Sequence, residues 1–487
     1  MPKIISLQRS ARIITLILFI IISGSVHAQN GNLYATATDG GVYGYGTILV
    51  SDSSGNNFHA VSSFNNANGY YPQGKLVIAP NGLVYGATRR GGYSNSCVLY
   101  TFDTTSNTIT KIYDFMYTTQ FGAIPYSGLM LASDCYLYGV TFDGGANGGG
   151  VIYSLDPAGD YYTDLYDFID STGSHAFGEL LQLNDGKLYG LASSGGQNSG
   201  GVLFSFDPVA LTYSALHHFT WATGTQPAYG NLIQATDGLL YGMTQYGGAN
   251  GDGVIFSYDV SSGTYTDRHD FDYATGGSPF GSLLQSSSGK FYGMTISGGA
   301  NTYGVLFSFD AGTNNYSVLL DFDNTNGARP QRGLTEASNG KLFGTTMYGG
   351  IHNCGVIFSY DTVTSTYTKV LDLDSVTTGA HPTCDIFQSG VSTNPCITKV
   401  QEGKDQPVIS IFPNPVRDQL NLYSSEFTSA TIKIQNTLGE RVYFSNVKGS
   451  GGTFSKVISM NDIVDGIYFL KIASPEKTWI RKILVSH

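Results

Sequence analysis

An aspartate returns seven times in this 487-residue chain, each time closing a short aromatic run: Asp52, Asp103, Asp156, Asp207, Asp259, Asp310 and Asp361. A second series, Asp114, Asp167, Asp270, Asp321 and Asp372, follows eleven residues behind its partner in the first. Carboxylates can act as general acids, nucleophiles or cation ligands. Recurrence at one place in every copy argues for a structural duty instead, since a short acceptor after a strand caps the following turn. The nine histidines are scattered; His217 and His218 end one run, and His269 holds the equivalent point in the next copy. Their placement suits partly buried polar side chains better than a catalytic pair. Glycine-rich stretches 143–150 (DGGANGGG) and 247–253 (GGANGDG) resemble calcium turns loosely. Calcium needs six to eight oxygens, and most copies offer one aspartate or none. The chain has no P-loop lysine, GxSxG elbow, HExxH helix or zinc-like cysteine pair. Motifs alone therefore designate no catalytic residue, no metal and no cofactor. A site assembled singly from different copies stays open.

These residues ride on a repeat. The aromatic of an LYG run falls at Tyr34, Tyr85, Tyr138, Tyr189, Tyr241, Tyr292 and Phe343, at intervals of 51 to 53 residues. Each copy reads as four strands: a short LLQ strand (A), the LYG strand (B), an FSFD-like strand (C) and a YTxxxDF-like strand (D). A Gly-Gly pair separates B from C, and a long proline-bearing link joins D to the next A. Four strands in about fifty residues, seven times over, predict an all-β, seven-bladed β-propeller. The first copy lacks strand A, whereas an extra short strand at 384–388 (CDIFQ) follows the seventh. Pairing Asp385–Gln388 beside Leu33–Thr36 would complete the first blade from both ends and leave no open seam.

In such a blade the B–C and D–A loops share one face and the brief A–B and C–D turns the other. The longer, more varied loops are where a ligand is expected. That face would carry Arg89, Arg90, Asp143, Tyr246 and Tyr348 from B–C loops, and His175, Trp221, Tyr229 and Arg329 from D–A links.

Composition agrees with an exported all-β chain: 63 Gly, 34 Tyr and 13% charged residues. Lys3, Arg9 and Arg12, the apolar run 13–22 and the small residues before Gln29 form a secretory signal peptide over 1–28, too short for a membrane span. From Val408 onward 9 basic residues face 6 acidic ones; between the signal peptide and Val408, 13 face 30, a net charge of −17. So acidic a body excludes a nucleic-acid or anionic-lipid footprint. The five cysteines (Cys97, Cys135, Cys354, Cys384, Cys396) leave at least one thiol unpaired in a monomer, with Cys354 or Cys396 as partners open to Cys384.

The core LYG-x-T-x-x-GG-x-x-x-x-G-V-[LI]-F-S-[FY]-D resembles the GloVer-type tandem repeats of bacterial surface and secreted proteins, over residues 32–388. Copy one departs with Ala35 for the LYG glycine, and copy two with Cys97 for the glycine before strand C. The resemblance implies no activity. Beyond a polar linker at 391–407, alternating apolar residues predict a small Ig-like β-sandwich over 408–487. That tail is similar to the type A sorting domain of the type IX secretion system of Bacteroidota. Its marks are Pro413, Asn414 and Pro415, then Gly439, Gly466, Tyr468 and Lys482. The resemblance implies passage through the periplasm and across the outer membrane by the type IX machinery, to the cell surface or the medium. With a propeller over 29–390, the expected activity is non-enzymatic binding of an extracellular glycan or protein; the alternative is a glycan-active hydrolase or lyase.

Overall fold

A computed structural model describes residues 31–93, 95–116, 122–159, 161–227, 230–389, 409–412, 416, 418–424, 429–436, 441–448, 454–464, 466–473 and 478–485. The expected signal peptide and linker lie outside these residues. The fold is all-β. Each of the seven copies forms an antiparallel sheet in the order A–B–C–D, and in the fourth and sixth a segment of the preceding link adds a fifth strand. In the fifth copy these strands are Ile233–Gln234, Leu240–Thr244, Val254–Asp259 and Thr264–Asp270.

Burial explains the residue patterns. Strands B and C are buried along both faces, so Val254–Asp259 (VIFSYD) reads as a continuous apolar run. Strand D, as in Thr264–Asp270, mixes exposed and half-buried residues and has none fully buried. Seven apolar clusters lie between sheets rather than within them, each joining consecutive copies. The seventh joins Leu33 and Leu49 of the first copy to Phe343 and Ile357 of the last. The orphan strand pairs with the first: Leu33 faces Gln388 and Tyr34 faces Phe387. The loops above this pair bond reciprocally, Asp39 N–H to the Ala380 carbonyl (3.1 Å) and Ala380 N–H to that of Asp39 (2.8 Å).

The LYG glycine has a steric cause. A Cβ on Gly86, Gly139, Gly190, Gly242, Gly293 or Gly344 would lie 2.4–2.6 Å from the aromatic ring facing it on strand C, as Phe256 faces Gly242. Copy one carries Ala35, and the residue facing it is Leu49 rather than an aromatic. The departure in sequence is thus a matched exchange. Every C–D pair also carries a register shift at the same step, such as Ile255/Phe256, adding the local twist of a bulge.

Pairing between Cys354 and Cys384 is not made. Both thiols are free, and the Cys384 Sγ instead accepts from Thr36 N–H (2.9 Å) while donating to the Thr36 carbonyl (3.3 Å). Cys396 lies outside the described residues.

The tail forms two sheets. Ile409–Phe412, Gln419–Ser424 and Phe454–Ser459 make one; Ser429–Asn436, Arg441–Lys448, Gly466–Ala473 and Thr478–Val485 make the other. Leu420 and Leu422 from the first share a core with Ile432, Leu470 and Ile483 from the second. Ile409–Phe412 and Phe454–Ser459 escaped the alternation pattern. Tyr468 is buried, its hydroxyl donating to the Val464 carbonyl (2.8 Å), Gly466 opens its strand, and Lys482 pairs with Phe469. Pro413, Asn414, Pro415 and Gly439 lie outside the described residues.

Gly242→Ala should lower stability by about 1–3 kcal/mol through overpacking against Phe256. Adding Phe256→Leu should recover part of that loss by recreating the Ala35–Leu49 pair. Urea unfolding of the two variants and the parent checks both expectations.

Candidate functional site

The recurring carboxylates are occupied by the backbone. In all seven copies the aspartate closing strand C accepts the N–H two residues on, at 2.8–2.9 Å. The strand D aspartates each accept an N–H from the B–C loop, as Asp270 does from Ala249 (2.5 Å) and Asp372 from Ile351 (2.9 Å). In the fourth copy His218 takes this place, accepting from Gln197 N–H (3.2 Å). His217 and His269 stack on Tyr265 and Tyr316 of the next copy, with ring centroids 4.2 and 4.3 Å apart. Tyr113–Tyr162 and Tyr166–Tyr213 fill the same positions in earlier copies. Burial pushes His217 down to about 4, helped by neighbouring His218, and it also lowers His269. These histidines pack sheet against sheet.

The threonine of LYG-x-T aims the loops. Its hydroxyl donates to the carbonyl two residues on, reaching Arg90 (2.9 Å), Asp143 (3.0 Å), Tyr246 (3.1 Å) and Tyr348 (2.8 Å). The D–A links are held across the seam between copies. Tyr71, Ile124, His175, Gln226, Ser278, Arg329 and His381 occupy one equivalent position, all with φ between +51° and +58°. For side chains other than glycine this left-handed region is uncommon, and for a β-branched isoleucine it is an outlier. The N–H of His175 bonds to the Gly149 carbonyl (2.8 Å) and that of Arg329 to Tyr303 (2.9 Å), both in the preceding B–C loop. The series was visible in the sequence as the residue before each link proline, with Ala176 replacing proline in the fourth copy. Of the seven, only His175 and Arg329 were singled out.

The expected site residues fall into separate groups. Arg89, Asp143 and His175 come together from three consecutive copies, joined by Tyr126, Phe142 and Phe177, which the sequence did not single out. The Arg89 guanidinium lies 5.1 Å over the Tyr126 ring. Tyr126 and Phe177 centroids are 4.6 Å apart, and Phe142 approaches Phe177 at 4.5 Å and His175 at 4.6 Å. His175 Nε2 stands 3.6 Å from Asp143 Oδ1, and Nδ1 is 2.8 Å from Ser194 Oγ. Burial raises the Asp143 carboxyl, opposed by His175, and raises the Tyr126 hydroxyl, opposed by Arg89. Beneath the loop, Cys97 adopts φ +124° where other copies have glycine, and its thiol donates to the Arg89 carbonyl (2.8 Å). Arg90 is exposed. Trp221 and Tyr246, both exposed, sit on adjoining loops, with Gly248 N–H bonded to the Trp221 carbonyl (2.8 Å) and Thr225 N–H to that of Tyr246 (2.7 Å). Arg329 and Tyr348 belong to another seam, where Tyr348 packs on His381 (5.2 Å) and His381 meets Asp39 (3.0 Å). Tyr229 lies outside the described residues.

A different feature lies among the A strands. A cavity of about 550 Å³ takes lining from all seven, represented by Lys75, Leu131, Glu179, Ile233, Ser282, Leu334 and Phe387. One end is drawn in by hydrogen bonds from copy to copy. Glu179 accepts Lys75 N–H (3.2 Å), Asn231 accepts Glu179 N–H (2.7 Å), Ser282 accepts Asn231 N–H (2.9 Å) and Asp385 accepts Gly333 N–H (2.7 Å). Glu179 reaches Lys75 only because Gly128 lies between; a Cβ there would stand 2.4 Å from Glu179 Oε1. Burial pushes the Glu179 carboxyl up to about 7, with Lys75 opposing. Among the described residues no group of three or more His, Cys, Asp or Glu is gathered to hold a metal ion, and no helix is long and apolar enough to cross a membrane.

Comparison with known proteins gives two family matches: the Gloeobacter/Verrucomicrobia repeat over residues 21–234 and 205–405, and the secretion system C-terminal sorting domain over residues 410–486. No curated protein sequence matches the chain. Solved structures similar to it include a proposed 6-phosphogluconolactonase from Bacteroides uniformis, at 15% identity and TM-score 0.47, covering 73% of this chain and 99% of that one. A copper-bound fungal alcohol oxidase of the AA5 family gives 13% identity and TM-score 0.43, over 85% of this chain and 96% of that one. TolB from Acinetobacter baumannii gives 12% and 0.39, over 72% and 82% respectively. At these values none bears on activity.

The stacked histidine yields a signed expectation. His217 is held neutral in the fold and titrates near its ordinary value when unfolded. Its contribution is therefore complete above about pH 6.5 and is lost as the pH falls towards 4. His217→Phe should flatten the fall of the thermal midpoint across that window relative to the parent.

Proposed function

The chain belongs to the Gloeobacter/Verrucomicrobia repeat family and ends in a sorting domain that marks it for the type IX secretion system, and from that premise we propose an exported seven-bladed propeller that binds an extracellular glycan without altering it. The seven sheets are its blades. Three features support a closed ring: the cluster joining first and last copies, the pairing of Phe387 with Tyr34, and one cavity lined by every A strand. The tail, with two sheets around one core, is an Ig-like sandwich that delivers the propeller to the cell surface or the medium.

The group Arg89, Tyr126, Phe142, Asp143, His175 and Phe177 on the loop-bearing face carries the binding reading. Half-buried Tyr126 and Phe142 offer apolar ring surface beside a fixed guanidinium, a carboxylate and an imidazole. Rings for the C–H face of a sugar and planar polar groups for its hydroxyls suit a glycan. Trp221, Tyr246, Arg329 and Tyr348 extend the same face on other seams, and Arg90 stands beside Arg89. A glycan-active hydrolase or lyase is the second reading, favoured by His175 standing between Ser194 and Asp143.

Glycan-array binding and reducing-sugar release, run on the same full chain, decide between them. Binding without release is expected, with Arg89→Ala and Tyr126→Ala each weakening it about tenfold, roughly 1.4 kcal/mol. Sugar release abolished by Asp143→Asn would replace the binding reading with the enzymatic one. Absence of both binding and release would remove the glycan reading altogether. For the ring, a chain ending at Thr383 should unfold at lower temperature than one ending at Ser389, because only the latter supplies the strand that pairs with Leu33–Ala37.

A further inference from the structure

The cavity among the A strands differs in chemistry from the Arg89–His175 group, which its neck reaches only through Phe177. Leu131, Ile233, Leu284 and Leu334 contribute apolar walls. Its drawn-in end carries charge of both signs. Lys75, Glu179 and Asp385 line the cavity, and Arg332 joins them at a neck of about 10 Å³. The four lie close enough for Lys75, Asp385 and Arg332 all to act on the Glu179 carboxyl. Among the described residues, however, no ion pair joins any of them; the four pairs formed lie elsewhere. Glu179 and Asp385 each commit one oxygen to a backbone N–H and keep another acceptor.

Unpartnered polar atoms point the same way. Ser127, 3% exposed, lines the neck with an Oγ that has no protein hydrogen-bond partner, and the buried Nε of Arg332 also lacks one. Buried polar groups are nearly always paired, and an orphan calls for an explanation. Opposite charges held apart around an apolar-walled cavity of ligand size supply one.

We propose that this cavity binds a small zwitterion with an apolar side chain, an α-amino acid in chemical class. Its carboxylate meets Lys75 and Arg332, its ammonium meets the free oxygens of Glu179 and Asp385, and its side chain lies along the leucine and isoleucine walls. Both ends are required: a fatty acid would leave the carboxylates unanswered, and an alkylamine would leave the cations so. The proposal does not rest on glycan binding, although Phe177 borders both places.

Titration calorimetry of the full chain tests this with L-leucine, L-phenylalanine, N-acetyl-leucine, leucinamide and hexanoate as probes. Leucine or phenylalanine should bind, and blocking either charged end should weaken binding about tenfold or more. Glu179→Gln keeps an acceptor for Lys75 N–H, and Lys75→Met leaves that N–H in place, so both should retain the parent's thermal midpoint while losing affinity by a similar factor. Glycan binding should be unchanged in both. The proposal is overturned if neither amino acid binds at millimolar concentration, or if hexanoate or the blocked forms bind as tightly as leucine. Full affinity in a folded Glu179→Gln chain would overturn it equally.

Discussion

Backbone meeting ring, with no Cβ between, is the contact on which the repeat region rests. Strand B lies under the aromatic of strand C so closely that only hydrogen fits at Gly86, Gly139, Gly190, Gly242, Gly293 and Gly344. That approach lets the aromatic lie flat within its own sheet and still reach its neighbour, as Phe204 reaches Phe168 at 5.3 Å and Phe256 reaches Phe219 at 5.2 Å. Loop geometry follows from it. The strand B threonine two residues beyond the glycine fixes the carbonyls of Arg90, Asp143, Tyr246 and Tyr348, and the Gly-Gly turns after them are tied to strand D.

Contacts between copies repeat with the same regularity. The LLQ glutamine accepts an N–H from the preceding A–B turn, as Gln182 does from Ser133 (2.7 Å), Gln285 from Thr236 (2.9 Å) and Gln388 from Ser338 (2.9 Å). Tyrosines of strand D donate to the preceding link, as Tyr213 does to Thr172 (2.8 Å) and Tyr265 to Thr223 (2.6 Å). Each seam therefore combines apolar burial with directional bonds, and a slip in register would cost both.

The sheets were legible because the repeat marks them copy by copy: Leu240–Thr244 begins and ends where the LYG run says it should. The orphan strand was legible because two incomplete copies at the ends of the repeat complement each other. The candidate site was only half legible. Arg89 and His175 were found as odd residues in variable loops. Tyr126, Phe142 and Phe177 were hidden, since their meeting depends on how far one copy is turned against the next, which no spacing within a copy encodes. The cavity was missed for a related reason. Lys75, Glu179, Ser282 and Asp385 hold one position in four different copies, and each alone reads as an ordinary polar residue before a leucine or isoleucine.

Pairing of Phe387 and Gln388 with Leu33 and Tyr34 sets an order of assembly. Leu33–Ala37 is nearly the first strand of the repeat region to be synthesised, yet its inner partner is the last, some 350 residues behind it. Until that partner arrives, the first sheet keeps an unpaired inner edge and offers Thr36 N–H nothing to bond, the place Cys384 finally fills. Copies can add one upon another through their shared seams, but the oldest sheet is finished last, by the segment that leads into the sorting domain. Completion of the fold and emergence of the export signal are neighbouring events along one polypeptide.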